Sequence, residues 1–175
     1  MSALLKVGDQ YPESHAHTKA KVFAFLNFNS ENSNFTMTAS AESYRLAFPS
    51  KSKPYISTGL PFPKACAHHV TNTFHASKAY VIVSNSISKT DNFVSLRKAL
   101  GDKVVGVRNG IKPHTPWDDV LEIVKDIREN GADIIITLGA GSLTDGAKVI
   151  AFVCFCLCYF LSHQTYHQLL FQSKH

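Results

Sequence analysis

Paired cysteines, basic clusters and long apolar runs are all scarce in this 175-residue chain, and each scarcity excludes something. The longest unbroken apolar run, Val149 to Leu161, is shorter than the roughly 20 residues a helix needs to cross a bilayer. Membrane spanning is therefore not expected. The charge balance is mildly basic, +5 with a pI near 9.0. The lysines and arginines are scattered, and the densest run is Lys51-Ser52-Lys53. Without a basic stripe and interleaved aromatics, nucleic acid is not an expected partner. Of the 4 cysteines, Cys154, Cys156 and Cys158 crowd together and Cys66 stands apart, which is no disulfide framework. A reducing intracellular compartment follows. The N-terminus has no basic region leading into a long apolar run, unlike a secretory signal. The cytoplasm is the expected location, with the mitochondrion as the alternative.

Metal-ligand spacing is missing too. Structural zinc sites separate paired cysteines by two or more residues. The alternating cysteines of the tail do not, even with His163 and His167 nearby. His68-His69 and the pair His15 and His17 have no partners at ligand spacing and read as ordinary histidines. No metal ligand is assigned.

What the chain does contain is an α/β pattern in its middle. Residues 1–54 are rich in Ser, Asn, Thr and His and read as a poorly ordered extension, with Met37 a second candidate start. Lys64 to Asn72 is expected to be a short helix. Ala79 to Ser84 is a buried strand by composition. Asp91 to Leu100 is expected to be a helix that buries Phe93, Leu96 and Leu100 and stops at Gly101. A short strand follows at Lys103 to Val107. Thr115 to Gly131 carries apolar residues at Val120, Ile123, Val124 and Ile127, a helical repeat. Thr115 is the expected cap, Pro116 the first helical residue, and Asp118 completes a capping-box spacing. Asp133 to Leu138 is a strand covered on both faces. The alternation predicts a parallel sheet flanked by helices, a partial Rossmann-like domain over 55–152. The tail 153–175 reads as apolar, non-native sequence.

That last strand runs into Gly139-Ala140-Gly141-Ser142-Leu143-Thr144-Asp145-Gly146-Ala147-Lys148. A strand, small-residue turn and helix start present backbone N–H groups and a positive dipole end, which suit a phosphate. The spacing is neither the G-x-G-x-x-G fingerprint nor a P-loop. It resembles the Gly-Gly-Gly-Ser-x-x-Asp-x-Ala-Lys element of iron-containing (group III) alcohol dehydrogenases, with Ala140 in a glycine position. Pro113-His114-Thr115-Pro116 is similar to the family's Pro-Asn-Pro-Thr element, in the His-x-Pro form of the maleylacetate reductase-like branch.

The resemblance implies NAD or NADP as cofactor and a small alcohol, aldehyde or ketone as substrate. It places the pyrophosphate on Gly139, Ala140, Gly141, Ser142 and Leu143, with Asp145 in the same element. Gly141 would permit close approach, and φ decides whether the Ala140 methyl crowds the backbone. Asn85 falls where the family often has an Asp that meets the adenosine ribose. An amide there does not repel a 2′-phosphate, so NAD and NADP both stay open, as does a plain turn role. His114 reads equally as a cofactor neighbour or a surface histidine. The family's iron or zinc is held by an Asp and three His of a later helical domain, so this chain reads as an N-terminal fragment. No catalytic residue is assigned, and the isolated chain is expected to be inactive. Homo-oligomerisation is left open. The rival reading is a non-catalytic nucleotide-binding or regulatory stub. Glycerol dehydrogenases and dehydroquinate synthases share a similar turn.

Overall fold

The structure, a computed structural model, describes residues 2–4, 21–25, 42–139, 141–154 and 156. Ala140, Met37, Cys158 and the histidines at 15, 17, 163 and 167 lie outside the described residues.

Two sheets organise the chain. Strands β1 (Ser2–Leu4), β3 (Ser43–Leu46) and β4 (Tyr55–Thr58) form an antiparallel sheet in the order β1-β4-β3. Strands β2 (Lys21–Phe25), β5 (Ala79–Val83), β6 (Val104–Asn109) and β7 (Ile134–Leu138) form a parallel sheet in the order β2-β7-β5-β6. The register aligns Ala79 with Ile134 and Val83 with Leu138, so β5 and β7 end level. Every residue of these two central strands is buried. That explains their lack of polar alternation, since both faces are covered.

Alternate residues feed two cores. Val81, Val83, Ile136 and Leu138 face α1 (Phe62–His68) and α2 (Asp91–Leu100), meeting Cys66, Phe93, Leu96 and Leu100. Tyr80, Ile82 and Ile135 face α3 (Trp117–Glu129) and the helix α4 over 141–154. There they meet Val120, Ile123, Val124, Ile127, Leu143, Ala147 and Ile150. Each fully buried aliphatic chain contributes about 1.5–3 kcal/mol. The Tyr80 ring covers Gly106, where an added Cβ would fall 2.5 Å from its ring carbon. Its hydroxyl donates to Asp126 Oδ2 at 2.5 Å, which fastens α3 to the sheet.

The structure differs from the sequence expectations in four places. Residues 1–54 read as a poorly ordered extension, yet β1, β2 and β3 come from them. The apolar patch over 22–25 pairs with β7 along its length, from Lys21↔Ile134 to Phe25↔Leu138. A strand added to a sheet edge draws on partners far along the chain, which composition in its own window does not show. The helix expected over Lys64–Asn72 starts at Phe62 and changes at His69 to a π turn, His69–Thr73. Thr115 is not the cap of α3: its φ is +47°, Pro116 takes the N-cap position and no side chain caps the helix. Finally, Val153 and Cys154, assigned to the tail, are buried in the α3/α4 core. Among the described residues no helix is long and apolar enough to cross a membrane.

Candidate functional site

The central strands β5 and β7 are neighbours, but their following helices lie on opposite faces of the sheet. After β5 the chain turns to α2 in one core, and after β7 to α4 in the other. In an open parallel sheet, such a divergence leaves a crevice at the carboxyl ends of the two strands, where ligands bind. Here that position lies between Ser84 and Asn85, which follow β5, and Gly139 and Gly141, which follow β7.

The two turns approach closely. Ser84 donates its N–H to the Leu138 carbonyl at 3.0 Å. A Cβ on Gly139 would lie 3.0 Å from Leu143 Cδ2 and 3.3 Å from Ser84 Cβ, so the buried backbone there requires glycine or a shift of its neighbours. Gly141 is different. A Cβ on it would meet nothing within 4 Å, and it is exposed at the first described turn of α4. Its φ lies outside the left-handed region, so helical geometry, not positive φ, sets its backbone. Open space in front of a helix start fits a phosphate cradle. Ser142 is exposed beside it, and Leu143 turns inward to the core. Asp145 is on the outer face of α4, its side chain 73% exposed and paired with Lys148 Nζ at 2.8 Å.

Asn85 is exposed and leans over the end of β6. A Cβ at Gly110 would lie 3.4 Å from Asn85 Nδ2, and Gly110 has φ +77°. Its N–H is held by the Val83 carbonyl at 2.6 Å. Glycine is needed here both for the turn and for the room that Asn85 occupies.

His114 is exposed, with φ +63°. Its loop lies on α4, because a Cβ at Gly146 would fall 2.7 Å from Ile111 Cδ1 and 3.4 Å from Thr115 Oγ1. The structure thus brings the His114 loop and the glycine turn's helix together through Ile111 and Thr115. Sequence reasoning missed Gly146 as the residue that lets them meet. A glycine in a helix interior costs about 1 kcal/mol, which was the available signal.

A second miss is Asp119. The capping-box reading chose Asp118, which is exposed, whereas Asp119 is fully buried. Its carboxylate accepts from Arg108 Nη2 at 2.6 Å and from the Lys112 N–H at 3.0 Å. Burial alone would raise its pKa. The Lys112 N–H and the charges of Arg108 and Lys112 outweigh that and hold it below the ordinary carboxylate value. Arg108 also bonds Glu122 Oε1 at 2.9 Å. This network anchors the start of the 110–116 loop that lies on α4.

A model of the family described as iron-containing alcohol dehydrogenase matches residues 59–167. Among curated proteins, the dehydrogenase FUM7 of Gibberella moniliformis (strain M3125 / FGSC 7600) is 48% identical over 99 residues, covering 56% of this chain and 23% of FUM7. The dehydrogenase ALT3 of Alternaria alternata is 46% identical over 77 residues, covering 43% of this chain and 20% of ALT3. The chain therefore spans about a quarter or less of the length of these relatives. Among solved structures, maleylacetate reductase from Agrobacterium tumefaciens is similar with a TM-score of 0.46 and 24% identity, over 68% of this chain and 30% of that one.

Proposed function

Because the chain belongs to the iron-containing alcohol dehydrogenase family, we propose that it supplies dinucleotide-binding residues of an NAD(P)-dependent oxidoreductase. The reaction class is hydride transfer between NAD(P)H and a small alcohol, aldehyde or ketone. The observation that carries the proposal is the close approach of the Ser84 and Gly139 turns at the level ends of β5 and β7, with open space where a Cβ on Gly141 would point at the start of α4.

When bound, the nicotinamide supplies the hydride donor or acceptor. This chain's residues bind and orient the other end of the molecule. Backbone N–H groups of 141–143 face the pyrophosphate, aided by the helix dipole. The Ser142 hydroxyl adds a hydrogen bond. Gly139 keeps the turn low enough for the ligand to cross the strand ends. Asn85 meets the adenosine ribose and, being uncharged, accepts a 2′-phosphate as readily as a hydroxyl. The His114 loop, packed on α4 through Ile111 and Thr115, lies near the cofactor.

The family resemblance also implies iron or zinc on an Asp and three His. Among the described residues, the cluster with metal-ligating types is Glu42 with His68 and His69, which does not match that set. Cytoplasmic location fits the reduced, buried thiol of Cys66. Burial pushes the Cys66 thiol far up, so it stays protonated and inert.

Calorimetric titration of the purified chain with NADH and NADPH tests the proposal. Saturable binding of either supports it. Heat no greater than buffer dilution for both would remove the nucleotide site.

A further inference from the structure

His68 closes α1 and His69 opens the π turn that follows it. Adjacent residues of a regular helix point about 100° apart, but here both rings approach one carboxylate. Glu42, just ahead of β3, places Oε1 2.5 Å from His69 Nε2 and Oε2 3.9 Å from His68 Nδ1. One donor atom from each of the three residues lies within 4.8 Å of the others. A plain hydrogen bond between Glu42 and His69 explains a buried histidine. It does not explain why His68, half exposed and beyond hydrogen-bond reach, stands over the same carboxylate with its ring edge-on to His69 at 5.2 Å.

We propose that Glu42, His68 and His69 bind one divalent cation of the zinc class, with water completing the shell. Two imidazoles and a carboxylate are donors that zinc and its first-row neighbours favour over magnesium or calcium. Zinc–nitrogen bonds of about 2.0–2.1 Å put tetrahedral ligands roughly 3.3 Å apart. The observed separations, 2.5 Å to Glu42 Oε1 and 3.9 Å to Oε2, straddle that figure, and with all donors within 4.8 Å of one another each separation reaches it by changing at most about 1.5 Å.

The surroundings supply the outer support that metal-binding histidines use. His69 Nδ1 is 2.8 Å from Thr73 Oγ1, a partner that the π turn brings into reach. With Nδ1 carrying the proton toward Thr73, Nε2 keeps its lone pair on the Glu42 side, where the cation would sit. Ser57 Oγ donates to Glu42 Oε1 and fixes the carboxylate. Tyr44 stacks on His69 at 4.6 Å and on Tyr55 at 4.9 Å, which sets the imidazole plane. The cation would clip the antiparallel sheet to α1, two units whose ligands lie far apart in sequence. A site assembled only on folding stabilises the fold when filled.

The test uses the full 175-residue chain with ZnCl2 and CoCl2. Wild type should bind one more zinc than His68→Ala, or bind it at least tenfold more tightly. Its cobalt form should show tetrahedral d–d absorption that His68→Ala lacks. At a hundredfold excess over the wild-type Kd, zinc should raise the melting midpoint by about 5–10 °C in wild type and by about half that or less in His68→Ala. The His68 ring is exposed and makes no tight bond, so the metal-free melting curves of the two proteins should coincide, and this variant decides the question even if Glu42→Gln misfolds. Equal zinc stoichiometry and affinity in wild type and His68→Ala, or an unchanged cobalt spectrum, would overturn the proposal.

Discussion

Arg108 of β6 reaches the buried carboxylate of Asp119 at the start of α3, Nη2 to Oδ1, at 2.6 Å. The second carboxylate oxygen takes the Lys112 N–H at 3.0 Å. One acidic side chain thus ties a strand, a helix and the loop that lies on α4.

Replacing Asp119 by Ala should destabilise the chain by about 3 kcal/mol, because it leaves a guanidinium and a backbone donor short of their acceptor. Asp119→Asn keeps the shape and loses the charge, and should cost less. Urea unfolding measures both. A change under about 0.5 kcal/mol for Asp119→Ala would show that the network contributes nothing.

The same residue sets an acid dependence. Its folded pKa lies below the unfolded value of about 3.9. The stabilisation is full above that value and is lost as pH falls through the lower folded one. Wild type should therefore lose stability faster than Asp119→Asn below about pH 4, and the two curves should run parallel between pH 5 and pH 7. Parallel acid limbs would contradict the assignment.

Much of this architecture is legible in the sequence where the signal is local. The repeat Val120, Ile123, Val124 and Ile127 marks α3 and its buried face. The unbroken apolar runs mark β5 and β7, and Gly101 stops α2 with φ +56°. The α/β class and the family follow from these and from the glycine turn. Long-range effects stay hidden. The pairing of β2 with β7 depends on a partner strand more than a hundred residues away. Thr115 looks like a cap, but in the loop packed on Gly146 it takes a positive φ and leaves the N-cap position to Pro116. Asp119 looks like any first-turn acid until Arg108 is brought beside it. Glu42 meets His69 only because β3 pairs with β4.

The pairing of β2 carries its own prediction. A chain starting at Met37 lacks β2 and leaves one edge of β7 open. An uncovered, apolar parallel edge invites association with other chains. The shortened protein should melt at a lower temperature and elute as aggregates. If it is monomeric with an unchanged midpoint, residues 1–36 contribute nothing to the sheet.

On α4, Val149 and Phe152 are exposed while Ile150, Ala151 and Val153 are buried. Val149→Ser with Phe152→Ser should raise solubility and shift the melting midpoint by no more than a few degrees. Val153→Ala should instead cost about 1–2 kcal/mol, because it empties part of the core. Solubility limits and thermal melts separate the two. An equal stability loss in both variants would place the boundary of the folded region elsewhere.

Selectivity between the two nucleotides rests on Asn85. Asn85→Asp introduces a carboxylate where the ribose is proposed to lie, which repels a 2′-phosphate. NADPH affinity should fall at least tenfold, while NADH affinity holds or improves. A uniform change for both would move the ribose away from this turn.

The most direct test of the nucleotide site is the affinity of Gly141→Val for NADH and NADPH, measured by calorimetry beside a melting curve. Valine suits a helix better than glycine does, and its side chain would enter the open space in front of α4. The variant should therefore melt at or above the wild-type temperature and bind either nucleotide at least tenfold more weakly. Wild-type affinity in a folded Gly141→Val would contradict the account and remove the pyrophosphate from the Gly139–Gly141 turn.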